Sequence, residues 1–292
     1  MVGKTIRSLS FDAKKADREK KKSKFKASSN AERDFYRALK RVAQMSGSIV
    51  DAHTEGAGIT SLKKMTKALE DYSRTIEPWA RRQSAKLLEA VSRSNLRAYK
   101  RDSKAIGKAL EAGVAQGETG RVAMALLNEQ VALIKSLPIE AGLRAQRIAA
   151  ENFLKGTRAQ VDPETVERFL RERRQDIEFY NMFARQSGTA EFKEEMERST
   201  EVAINRAKLI ARTETARANS SFVQARAQSV GATHYIWRTT MDGAERESHA
   251  KMNGKTIAYA NPPRLSDGTT GHAGTFPNCR CWQDPVLPDD VE

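Results

Sequence analysis

From Asn30 to about Gly231 the chain repeats apolar residues at helical spacing, interrupted only at glycines and prolines, and nothing else in the sequence limits its fold as strongly. Leu88, Val91, Tyr99, Ile106 and Leu110 form one such stripe, and Val166, Phe169, Leu170, Ile177, Tyr180 and Phe183 form another. Asn30 is expected to cap a helix over 31–50, followed by a loop at 53–58 and a new helix capped by Thr60. Pro78 marks a kink or a fresh start, because an internal proline removes one backbone bond. Gly113, Gly117 and Gly120 are read as a break. A helix over 121–137 follows, with Pro138 opening the next and Gly156 closing it. Asp162 and Pro163 start another, ended at Gly188, and a long helix over 190–230 closes on Gly231 as a left-handed cap.

The pattern changes at Gly231. Residues 233–240 (THYIWRTT) alternate and are rich in β-branched and aromatic side chains, which predicts a strand. Asp242 and Glu245 have capping-box spacing for a short helix through His249. Asn253 and Gly254 make a turn into a second strand over 255–259. Residues 260–285 are dense in Pro, Gly, Thr and Asp, and a loop that long calls for an external constraint. The expected fold class is mainly α: an elongated multi-helix region followed by a small C-terminal α+β lobe with a loop-rich end. The expected divisions are a basic arm (1–29), an N-terminal helical region (30–130), a second helical region (131–231) and the lobe with its acidic tail (232–292).

The charge is uneven. Half of the net charge of +14 falls in residues 1–26, with ten Lys/Arg against three acids. So polar a segment has little apolar surface to offset ordering entropy, and Lys14, Lys15, Arg18, Lys20, Lys21, Lys22, Lys24 and Lys26 suit contact with phosphates. The same composition serves a solubilising tail. No run of about 20 apolar residues is evident and the N-terminus lacks the apolar core of a secretory signal, so neither membrane nor secretion is expected. Cys279 and Cys281 are too close in sequence for an unstrained disulfide, and they read as free thiols or metal ligands.

Two Gly-Lys-Thr triplets, at 3–5 and 254–256, lack the upstream glycine of a phosphate-binding loop. Arg212, Glu214 and Arg217 fall at ion-pair spacing, which by itself describes an ordinary helix surface. The C-terminal set is more specific. Asp242, Arg246 and His249 fall at i, i+4 and i+7, with His272, Cys279 and Cys281 downstream. His249, Cys279 and Cys281, with Asp242 or His272 as a fourth group, have the donor chemistry of a zinc site. The metal-free alternative pairs Asp242 with Arg246, bonds His249 to the loop and packs the thiols as small hydrophobes. No catalytic motif stands out and no small-molecule substrate is implied, so a non-enzyme is expected. The alternative is a zinc-stapled, nuclease-like DNA-processing enzyme.

The ordered set of pieces resembles the phage Mu F-like minor head proteins, the head-morphogenesis family of tailed bacteriophages. Those pieces are Leu137 and Pro138; residues 206–219 (RAKLIARTETARAN), with Arg212, Glu214, Arg217 and Asn219; Gly231; and Trp237 in the WRTT strand. They continue with Asp242 to Arg246, Ser248 and His249, Asn253 and Gly254, and Pro277 before Asn278, Cys279, Arg280 and Cys281. The resemblance spans about 130–285 and is sharpest over 205–282. It implies a few-copy virion protein of the phage head interior, associated with the portal protein and the procapsid shell, contacting phage DNA, and in the host cytoplasm during assembly. Some proteins with this domain carry a toxin after it; only eleven residues follow Cys281, so none is expected here.

Overall fold

The protein is described here by a computed structural model, covering residues 25–54, 62–114, 116–157, 161–173, 185 and 189–288. The chain order is α1 (Ser29–Thr54), α2 (Leu62–Thr75), α3 (Glu77–Asp102), α4 (Lys104–Glu111), α5 (Gln116–Gly156), α6 (Pro163–Arg173), α7 (Ala190–Ser229), β1 (His234–Arg238), α8 (Glu247–Ala250), β2 (Thr256–Ala258) and β3 (Trp282–Val286). The fold is mainly α with a small C-terminal α+β lobe, and every strand among the described residues lies after Gly231.

The described residues fall into two units, each assembled from separate stretches of chain. One draws on residues within 1–32, 87–126 and 212–292, the other on 33–86 and 127–211. These divisions run across the sequence boundaries at 29/30, 130/131 and 231/232, because α1, α3, α5 and α7 each contribute residues to both units.

The helical unit of 33–86 and 127–211 has an aliphatic core of Val50, Met65, Leu69, Val166, Leu170, Phe192 and Met196 around the small residues Ala141, Ala145 and Ala149 of α5. Small side chains let helices approach closely: a Cβ added at Gly142 would lie 2.9 Å from Leu69 Cδ1. Asp162 accepts from the Thr165 backbone N–H at 2.9 Å, so the start expected at Asp162 and Pro163 forms as read.

Several helix boundaries differ from the sequence reading. Ser28, not Asn30, caps α1, its hydroxyl accepting from the Ala31 N–H at 3.3 Å. Gly117 and Gly120 do not break the chain but lie in the first turns of α5. Pro138 does not open a helix; α5 runs through it. Ile134 and Leu137 are buried there, so packing holds the helix across the missing backbone donor. The Ser136 hydroxyl also donates to the Leu133 carbonyl at 2.9 Å. A stretch of α5 is long and apolar enough to cross a membrane by length and composition, which the sequence reading did not register. One third of that stretch is buried, and a core helix passes the same test.

In the other unit, one apolar cluster joins Phe25, Tyr99, Ile106, Leu110, Val223 and Ala227 to Tyr235, Trp237, Tyr259, Phe276 and Trp282 of the lobe. The stripe read across 79–110 is buried, but it is divided where Ser103 caps α4 by accepting from the Ile106 N–H. Gly231 closes α7 as expected. It lies at φ +88, its N–H donates to the Gln228 carbonyl at 3.1 Å, and that of Ala232 donates to Ala227 at 2.9 Å. β1 then runs antiparallel between β2 and β3.

β3 lies inside the stretch read as loop. Its Pro285 pairs with Tyr235 on an edge strand, where a missing N–H is tolerated.

Candidate metal centre and its scaffold

The lobe brings three buried donors together. α8 is only four residues long, but it buries Ser248 and His249. Ser248 anchors it by donating to Asp267 Oδ2 at 2.7 Å, and Asp267 also accepts from the Thr269 hydroxyl and N–H. On the other side, Asn278 adopts φ +55 and turns the chain into Cys279 and Cys281. Cys279 Sγ lies 3.5 Å and Cys281 Sγ 3.4 Å from His249 Nδ1, and the Cys281 backbone N–H points to Cys279 Sγ at 3.4 Å. The three ligand atoms lie within 4.8 Å of one another, and all three residues are buried, an arrangement that could hold a metal ion.

Electrostatics couple the two thiols. The Cys279 thiol is pulled down by its hydrogen bond with Cys281, with His249 acting in the same direction against burial. The same bond and burial push Cys281 up. Trp237 stands edge-on to His249 with ring centroids 5.9 Å apart.

The other residues singled out in the sequence are placed elsewhere. Asp242 is not on a helix: its N–H donates to Glu245 and its side chain accepts from the Ala244 N–H, closing a turn, and α8 begins only at Glu247. The i, i+4, i+7 face therefore does not form. Asp242 pairs with Arg280 through both carboxylate oxygens, which holds its carboxyl below the usual range, and Arg246 instead donates to the Pro277 carbonyl at 3.0 Å. His272 lies against Tyr235, its Nδ1 3.1 Å from the phenol oxygen, outside the His249–Cys279–Cys281 group.

The run ending at Asn219 does more than decorate a helix surface. Arg212 bonds the Asn278 side chain at 3.0 Å and pairs with Glu32, and the Thr213 hydroxyl accepts from the Asn278 N–H at 3.0 Å. Glu214 is buried and accepts from Arg217, and Asn219 donates to the Phe25 carbonyl at 2.8 Å. α7 thus positions both the turn before the cysteines and the chain leaving the basic segment. Lys14, Lys15, Arg18, Lys20, Lys21, Lys22 and Lys24 lie outside the described residues; Lys26 sits over the Trp282 ring at 5.6 Å. Sequence reasoning missed the Asp242–Arg280 and Ser248–Asp267 pairs. Arg280 between the two cysteines was the one visible signal for the first.

Residues 180–283 match the family described as Phage Mu protein F like protein. That segment holds all of α7, the first two strands, α8, both cysteines and the start of β3, so the matched segment coincides with the scaffold of the cluster. The chain is also similar to a Haemophilus influenzae protein named only as uncharacterized, 41% identical over 87 residues, which is 30% of this chain and 19% of that protein. The chain thus matches about a fifth of that relative's length. No solved structure matches it.

Asp267 gives the lobe a pH signature. Its bonds from Thr269 and Ser248 lower its carboxyl to about 2. A carboxylate lowered by folding contributes its full stabilisation above the unfolded value of about 4 and loses it as pH falls through the folded value. Asp267→Asn is therefore expected to remove part of the stability lost in that acid window, followed by thermal unfolding at stepped pH. A carboxyl NMR titration with its midpoint at about 4 would contradict these bonds.

Proposed function

We propose that this is a minor head protein of a tailed bacteriophage, acting in head morphogenesis at the portal and within the procapsid shell, and contacting packaged DNA through its basic N-terminal segment. The observation that carries this reading is the Mu F-like match over 180–283, on the same elements that build the His249–Cys279–Cys281 scaffold. The protein resides in the virion head and, during assembly, in the host cytoplasm. It acts as a structural component rather than as an enzyme, and a zinc ion on His249, Cys279 and Cys281 staples the lobe. The nuclease-like alternative needs Asp242 as a hard-cation ligand, and both oxygens of that carboxylate are taken by Arg280. Mass spectrometry of purified virions and procapsids is expected to find the chain in few copies. Its absence from both would overturn the reading.

The DNA contact has its own test. Phe25 is buried and Lys26 covers Trp282, so a truncation should stop at Lys24. Removing residues 1–24 deletes nine Lys/Arg, and each phosphate contact contributes about 0.9 to the slope of log affinity against log salt, so the slope is expected to flatten by up to about 8. An unchanged slope would assign the segment to a protein partner or to solubility.

A further inference from the structure

The distances in the cluster match a tetrahedron. Zinc–sulfur bonds of about 2.3 Å and a zinc–nitrogen bond of about 2.0 Å place nitrogen and sulfur roughly 3.5 Å apart along a tetrahedral edge. The two His249–sulfur distances are 3.5 and 3.4 Å. Hydrogen bonding accounts for them less well. An imidazole nitrogen offers one in-plane direction, a lone pair or an N–H, and so aligns with one sulfur, whereas here two sulfurs approach the same nitrogen at nearly equal distances. A cation uses all three lone pairs at once.

Three donors leave a tetrahedron incomplete. Among the described residues, no fourth His, Cys, Asp or Glu joins the group. The two fourth-ligand candidates named from the sequence are engaged, Asp242 by Arg280 and His272 by Tyr235. What borders the donors is a cleft lined by Thr239, Glu245, Arg246, His249, Cys279 and Cys281, among others. Two thiolates and a neutral imidazole already balance a divalent ion, so the remaining position suits a neutral or singly charged donor. Closed structural sites supply four protein ligands, while sites with three keep an exchangeable one.

We propose that zinc held by His249, Cys279 and Cys281 turns its fourth position toward this cleft, where it takes an exchangeable ligand, water or a small thiolate, with Glu245 as that ligand's hydrogen-bond partner and not a metal ligand. This rests on the zinc reading above. Glu245 lines the same cleft but stands outside the donor group.

Cobalt(II) loaded into the reduced full-length protein separates the two readings. Cobalt uptake with sulfur-to-metal charge-transfer bands is expected, as is zinc in the protein as purified. Titration with 2-mercaptoethanol is expected to shift the d–d bands saturably and to raise the charge-transfer intensity by about half, as a third thiolate joins two. Glu245→Gln is expected to keep the thiol-free spectrum and still form the thiol adduct. If neither zinc nor cobalt binds, the zinc reading falls and the open position falls with it. If cobalt binds with sulfur bands but the spectrum ignores the thiol, the zinc reading stands and the open position is refuted. If Glu245→Gln alone changes the d–d bands, Glu245 is a ligand and the site is closed.

Discussion

Trp237→Ala is expected to cost the unit that contains the lobe about 3–5 kcal/mol, the range for removing a fully buried large aromatic side chain. Trp237 has no exposed surface and lies in the cluster that joins Tyr99 and Val223 to the lobe. Its ring meets Phe276 at 6.4 Å as well as His249, and its backbone is paired on both sides, to Gln283 of β3 and to Lys255 and Gly254 before β2. The truncation therefore opens a cavity where the strand order is already fixed, and the neighbours cannot collapse into it without breaking the sheet. Trp237→Phe keeps most of the volume and should retain most of the stability. Urea denaturation of the variants checks this. A loss under about 1 kcal/mol for the alanine variant would mean that the cluster repacks and Trp237 is not its centre.

Gly274→Ala is expected to lose about 3 kcal/mol or more, from two causes that a second glycine separates. Gly274 and Gly254 have nearly the same left-handed backbone, φ +83 and +84. At Gly254 a Cβ would meet nothing, so Gly254→Ala should cost only the backbone strain of about 1–2 kcal/mol. At Gly274 a Cβ would come within 2.1 Å of the Ser220 Oγ and 3.1 Å of the Cys281 carbonyl. Ser220 cannot simply turn away, because its hydroxyl donates to the Ala273 carbonyl at 2.7 Å and so ties α7 to this loop. The alanine must displace either the helix or the segment that carries the cysteines. Equal losses for the two variants would show that the crowding at Gly274 relaxes freely.

Periodicity made the helices legible, and a positive-φ glycine made the end of α7 and the start of the lobe legible. Punctuation was read too strongly: Pro138 lies within α5 because Ile134 and Leu137 are held by packing, a tertiary effect invisible in a local pattern. β3 failed for the opposite reason. Asp284 and Pro285 look like loop residues until the strand is known to be an edge. For the candidate site, residue chemistry pointed to His249 and both cysteines, but spacing misplaced Asp242. A capping-box pattern closes a turn there, and its carboxylate goes to Arg280 thirty-eight residues away. Long-range pairs of that kind leave almost no trace in one sequence.

The patchwork make-up of the unit around Trp237 governs when it can form during synthesis. Phe25 emerges well before its partners: its carbonyl waits for Asn219, its ring for Tyr99, and the neighbouring Lys26 for Trp282. Loop closure over such separations is slow, and nothing local rewards it on the way. A nascent chain still short of Trp282 therefore carries an incomplete apolar cluster, and co-translational folding from the N-terminus cannot close it. The unit is completed only after Trp282 has left the ribosome, so a ribosome stalled before β3 should display Phe25 and Tyr99 to chaperones and proteases that the folded unit excludes.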